Sequence, residues 1–130
     1  MKEKEFENQI RDYLKKKKIY HFKFWGGKLK INGRFVRTKA GVADLNCCVN
    51  GVFVGIEVKQ ENGTPDIKQI ENAKEINKTG GLCFIVYPDD FELLKLIIES
   101  ILKDNSKENI NKQRAIYFNT SNTRKYFIDN

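Results

Sequence analysis

The 130-residue chain is 40% hydrophobic and 32% charged, with only 2 Pro and 9 Gly. That balance excludes a disordered polymer and fits one domain able to bury its own core. No apolar run approaches the roughly 20 residues of a membrane helix; the longest, Phe91 to Leu102, is broken by Glu92, Lys95, Glu99 and Ser100. Three cysteines, one histidine and no Cys-x-x-Cys exclude a disulfide framework and argue against a zinc site. The start MKEKEFENQIRDYL carries acids and lacks the apolar stretch of a secretory signal, so an intracellular, cytoplasmic protein without a membrane partner is expected.

Along the chain, Phe6, Ile10, Tyr13 and Leu14 fall at helical spacing and predict an amphipathic first helix over Lys2 to Lys18, with Glu7 on its polar face. From Asn8 to Ala43 there is one acid, Asp12, against eleven bases, out of a net charge of +7 for the whole chain. This basic leader, interleaved with Tyr20, His21, Phe22, Phe24, Trp25 and Phe35, suits a polyanion such as nucleic acid, with a solvated lysine face as the plainer alternative. The candidate phosphate contacts are Lys15, Lys16, Lys17, Lys18, Lys28, Lys30, Arg34, Arg37 and Lys39. The run Lys15 to Lys18 also suits a solvated helix end, where cations oppose the dipole. Trp25 and the phenylalanines are read as core in preference to base-stacking platforms. Breaks at Gly26-Gly27 and Asn32-Gly33 predict short β-structure, the second being a hairpin signal.

The most informative stretch is GVADLNCCVNGVFVGIEVK. Asn50-Gly51 between two strand-like runs predicts a two-residue turn that pairs Val49 with Val52, so that partner numbers sum to 101. Cys47 then faces Val54, Leu45 faces Ile56 and Ala43 faces Val58, all apolar. On the other face Asp44 opposes Glu57, with Lys59 two residues further along. Two facing carboxylates destabilise a hairpin unless a cation neutralises them. A hard divalent ion held by one or two carboxylates, a carbonyl and waters keeps room for a phosphate oxygen, which is what phosphodiester hydrolysis needs.

Beyond the hairpin, Thr64-Pro65-Asp66 predicts a helix start with Thr as cap and Pro at the first helical position, followed by Ile67, Ile70, Ala73 and Ile76 on one face and ended by Gly80-Gly81. Leu82 to Tyr87 reads as a buried strand. Asp89 with Glu92 predicts a capped helix through Phe91, Leu94, Ile97, Ile98 and Ile101. Asp104 to Gln113 reads as a polar connection, and AIYFNTSNTRKYFI as a possible hairpin. The element order predicts a single α/β domain with a mixed sheet, its core about residues 3–102 and a C-terminal extension over 103–130.

Asp44, twelve residues and then Glu57-Val58-Lys59 resembles the motif of the PD-(D/E)XK nuclease superfamily. Gly41-Val42-Ala43-Asp44, Ile56-Glu57-Val58-Lys59, Gln69 near a helix start, Gly80-Gly81 and the leading Glu7-Asn8-Gln9-Ile10 are similar to the VRR-Nuc (virus-type replication-repair nuclease) family and to minimal Holliday junction resolvases. The resemblance covers about residues 3–102, and departs where many relatives have Pro in place of Ala43. It implies a restriction-endonuclease-like αβββαβ core, a mixed central sheet flanked by helices. It further implies that Asp44, Glu57 and the Val58 carbonyl bind Mg²⁺, with Mn²⁺ able to substitute. Lys59 is then catalytic, Glu7 supports the metal shell, and Gln69 positions Lys59 or the phosphate. The activity implied is a structure-specific DNA endonuclease acting in repair or recombination, with branched DNA as partner and a Holliday junction as the leading substrate. A symmetric double cut implies a homodimer. The alternatives are a nuclease for flaps or nicks, and a DNA-binding module with a vestigial site.

Overall fold

The computed structural model describes residues 1–26, 28–37 and 39–127, the side chains at 28, 29, 36 and 37 excepted. Its elements are α1 (Glu3–Lys16), β1 (Tyr20–Lys23), β2 (Lys28–Ile31), β3 (Arg34–Arg37), β4 (Leu45–Val49), β5 (Val52–Val58), α2 (Ile67–Lys78), β6 (Leu82–Val86), α3 (Phe91–Lys103), α4 (Lys107–Thr120) and α5 (Arg124–Phe127), with a 3-10 turn over Pro88–Asp90. This is a mixed α/β fold. A four-stranded sheet in the order β1-β4-β5-β6 is antiparallel except for the parallel β5–β6 pair, which α2 connects; β2 and β3 form a separate hairpin. No described helix is long and apolar enough to cross a membrane.

The Asn-Gly pairs do what their chemistry requires. Asn50 and Gly51 have φ of 49° and 82°, and Asn32 and Gly33 have φ of 50° and 77°, the paired positive values of a turn whose twist matches its strands. With the Asn50 turn fixed, β4 and β5 pair as expected from Val49–Val52 through Leu45–Ile56. Alternation then sorts the side chains. Leu45, Cys47, Val49, Val54, Ile56, Val58, Leu82, Phe84 and Val86 join Phe6, Ile10 and Leu14 of α1 and Leu94, Ile97, Ile98 and Ile101 of α3 in the main core. The opposite face carries a smaller cluster, Ala43, Ala73 and Cys83, under α2. Adjacent Cys47 and Cys48 point to opposite faces, one buried and one exposed, and both are free thiols.

Several expectations change. The first helix stops at Lys16, because Lys18 turns left-handed at φ 57° and Lys17 pairs with Glu99 at 2.9 Å. The cap of α2 is Asp66 rather than Thr64, its carboxylate accepting from Gln69 N–H. Ile67 is solvent-exposed, so only Ala73 of that helix is fully buried. Asp89 is no cap; its neighbour Asp90 accepts from Tyr87 N–H and from both Asn122 nitrogens.

The C-terminal segment is neither a polar connection nor a hairpin but two helices: α4 joins the main core, and Phe127 of α5 packs against the smaller cluster under α2. Ser106 caps α4 by accepting from Asn109 N–H, and Tyr117 on α4 is fully buried, stacked on Phe84 at 4.0 Å and donating to the Ile85 carbonyl at 2.7 Å. Residues 128–130 lie outside the described chain. The aromatic leader is not core either. Tyr20, Trp25 and Phe35 are each 71% exposed, because β1 is an edge strand and the β2–β3 hairpin has no sheet to pack on.

Candidate active site

Asp44 sits at the point where β4 begins, and three neighbours fix it. Its backbone carbonyl accepts from Phe24 N–H at 2.8 Å, its Oδ2 accepts from Val58 N–H at 2.9 Å, and buried Asn46 donates to the carbonyl of Ala43 just before it. The expected Ala43–Val58 and Asp44–Glu57 rungs are therefore absent: β4 starts at Leu45, and the Asp44 side chain takes the N–H that the ladder would have used. Alternation aims both the N–H and the C=O of Val58 toward this side of β5. Two glycines allow the approach. Gly41, at φ 81°, brings its backbone so close to α2 that an added Cβ would lie 2.2 Å from the Lys68 carbonyl oxygen. At Gly55 an added Cβ would lie 2.9 Å from the Cys83 Sγ.

Glu57 lies at the C-terminal end of β5 on the α2 face, 3% exposed, with its Oε2 shielded from solvent and without a hydrogen-bond partner. A buried, unpartnered carboxylate oxygen is costly to maintain. Burial and then the adjoining Asp44 carboxylate push the Glu57 carboxyl up to about 10, against the pull of Lys59. The three residues singled out in the sequence are thus brought together electrostatically. Lys59 is half-buried, its N–H held by the Val86 carbonyl across the parallel pair at 3.0 Å.

Glu7 is buried, one turn into α1, and forms an ion pair of 2.5 Å with Lys23 of β1. It shares with Asp44 a cleft of about 390 Å³ lined also by Glu3, Lys4, Asn8, Arg11, Lys23 and Trp25. Gln69 takes part in the cap of α2, its Oε1 accepting from Asp66 N–H at 3.0 Å in a reciprocal pair, and among the described residues no hydrogen bond joins it to Lys59. Among the described residues no three His, Cys, Asp or Glu side chains form a metal-holding group. The available donors are the two carboxylates Asp44 and Glu57 and the Val58 carbonyl. Their fit to a cation rests on the orphaned Glu57 Oε2 beside a second carboxylate.

The assigned phosphate contacts are scattered. Lys15 and Lys16 end α1, and the helix rise puts Lys17 about 15 Å along the axis from Glu7. Lys30 lies 5.9 Å from the Phe35 ring, Arg34 is exposed on β3, and Lys39 is 4.0 Å from Glu75. The side chains of Lys28 and Arg37 lie outside those described. The cations that do line the cleft, Lys4, Arg11 and Lys23, were not among the assigned set. The signal for two of them was present, since Lys4, Glu7 and Arg11 follow at intervals of three and four along one helical face. Compared with protein-family models and with curated proteins, the chain matches none.

Proposed function

We propose that the chain is a metal-dependent, structure-specific DNA endonuclease with a restriction-endonuclease-like αβββαβ core of the VRR-Nuc type. The observation that carries this reading is Glu57, a buried carboxylate with one unpartnered oxygen beside Asp44, two residues before Lys59. A protein keeps such a pair only for a reason, and a bound cation is the simplest one. Asp44, Glu57 and the Val58 carbonyl are the donors for Mg²⁺ or Mn²⁺. When bound, that ion supplies charge neutralisation at the phosphoryl oxygens and an acidified water. Asp44, pinned by Phe24 and Val58, offers Oδ1 at a fixed position. Lys59 orients the attacking water, or balances charge on the phosphate. The Glu7–Lys23 pair buttresses the opposite wall.

Within this class a Holliday junction is the leading substrate and a C₂ homodimer the expected assembly. A second reading, a DNA-binding module with a vestigial site, is favoured by the lack of a three-acid group among the described residues. One assay separates the two. Labelled four-way junctions, flaps, nicked DNA and plain duplex are incubated with Mg²⁺, Mn²⁺ or chelator. Metal-dependent cutting of branched DNA is expected, lost in Glu57→Gln and reduced by about 10²- to 10⁴-fold in Lys59→Ala. Cutting that persists in Glu57→Gln would overturn the site, and binding without any cutting would establish the module.

A further inference from the structure

The cleft beside Asp44 holds two features that the nuclease chemistry does not use. Arg11, half-buried on α1, has its Nε shielded from solvent without a partner, and its guanidinium makes no hydrogen bond or ion pair among the described residues. An Nε shielded without an acceptor is an unmet demand, and the terminal nitrogens of the same half-buried guanidinium can take a phosphate. Lys23 cannot meet that role, being held by Glu7. Trp25, on the same cleft, is 71% exposed and has the Lys23 Nζ 4.8 Å from its ring centroid. That contact steadies the indole from one face and leaves the other to solvent. A cleft of about 390 Å³ is within the range of small-ligand sites.

Resting on the nuclease reading, we propose that this cleft seats one unstacked nucleotide of the substrate next to the cut phosphodiester, with Arg11 taking its phosphate and the open face of Trp25 stacking its base. An unstacked nucleotide is available at a branch point or flap and not inside an intact duplex, so the cleft is what makes the enzyme prefer distorted DNA. Stacking on an aromatic ring is tolerant of base identity, so no sequence preference arises here.

Trp25 is the only tryptophan, and its fluorescence reports on this cleft alone. The wild-type chain is titrated in chelator with oligothymidylate, with an abasic oligomer of equal length and with a blunt duplex. Oligothymidylate is expected to quench Trp25, and the abasic oligomer and duplex to leave it nearly unchanged. By anisotropy of the labelled oligomer, Trp25→Ala and Arg11→Ala each weaken binding about tenfold, while Trp25→Phe stays within a few-fold. The log–log salt slope falls by about one in Arg11→Ala alone. Neither side chain packs in the core, and unchanged Tm values would show both variants folded. Quenching by the abasic oligomer equal to that by oligothymidylate, or binding within twofold of wild type in both alanine variants, would overturn the proposal. Should that result accompany metal-dependent cutting by the wild type, the nuclease reading stands and only the seat falls. Quenching without any cutting keeps the nucleotide seat and overturns the nuclease.

Discussion

Burying a carboxylate to 3% exposure beside another acid costs several kcal/mol if both are charged, and that burial, with the adjoining Asp44 carboxylate, raises the Glu57 carboxyl well above its ordinary range. A cation held by that pair binds only the folded chain and so stabilises it by mass action, about 2.7 kcal/mol at a hundredfold excess over Kd. Saturating Mg²⁺ or Mn²⁺ is therefore expected to raise Tm by several degrees. Glu57→Gln keeps the shape, removes the charge and should lose that rise, with a metal-free Tm equal to or above that of wild type. A variant that retains the full metal-induced shift would show that Glu57 is not a ligand.

The hairpin of β4 and β5 was legible because Asn50-Gly51 admits essentially one turn, and that turn sets every pair down to Leu45–Ile56. Legibility ended where a side chain replaced the ladder, at Asp44, since no pattern of apolar residues encodes a carboxylate bound to Val58 N–H. Helix α4 escaped for a different reason: its two buried apolar residues, Ile110 and Tyr117, are separated by polar ones and leave no continuous stripe. Tyr117 nevertheless ties α4 to β6, and Tyr117→Phe strands the buried Ile85 carbonyl, an expected loss of about 1–3 kcal/mol read as a fall of several degrees in Tm. The start of α3 hangs on Asp90, whose carboxyl burial raises above its ordinary 3.8 despite the N–H groups of Tyr87 and Asn122 that favour its charge. With the folded value above the unfolded one, the folded state binds the proton more tightly. The contribution is full below the unfolded value and is lost as pH rises through the folded one. The stability difference between wild type and Asp90→Asn should accordingly change with pH above 3.8, in the direction of a weakening wild type. A pH-independent difference across urea melts would refute this.

For the molecule as a whole, the net charge of +7 matters through its distribution, with eleven bases between Asn8 and Ala43 on α1, β1, the β2–β3 hairpin and the segments that join them to each other and to β4. If these contact phosphates, affinity for DNA falls steeply with salt, by a log–log slope of about 0.7 to 0.9 per contact. A slope near zero in filter binding would separate that face from DNA. The junction-cutting reading also requires two copies acting together, so sedimentation of the 15.2 kDa chain with and without a four-way junction is expected to report a dimer on the junction. The acids and the lysine were readable as spacing, whereas the cleft around them was not, because it is made by folding α1 against the end of β1.

Gly41 places a limit on how this chain can vary. Its left-handed backbone lies against the first turn of α2, so that even a methyl group would meet the Lys68 carbonyl oxygen at 2.2 Å, and the segment leading to Asp44 has nowhere to retreat. In a library of all single substitutions selected for function, Gly41 should therefore tolerate replacement as poorly as Asp44, though it carries no chemistry of its own. The neighbouring Val42 and Ala40, without that constraint, should accept several residues.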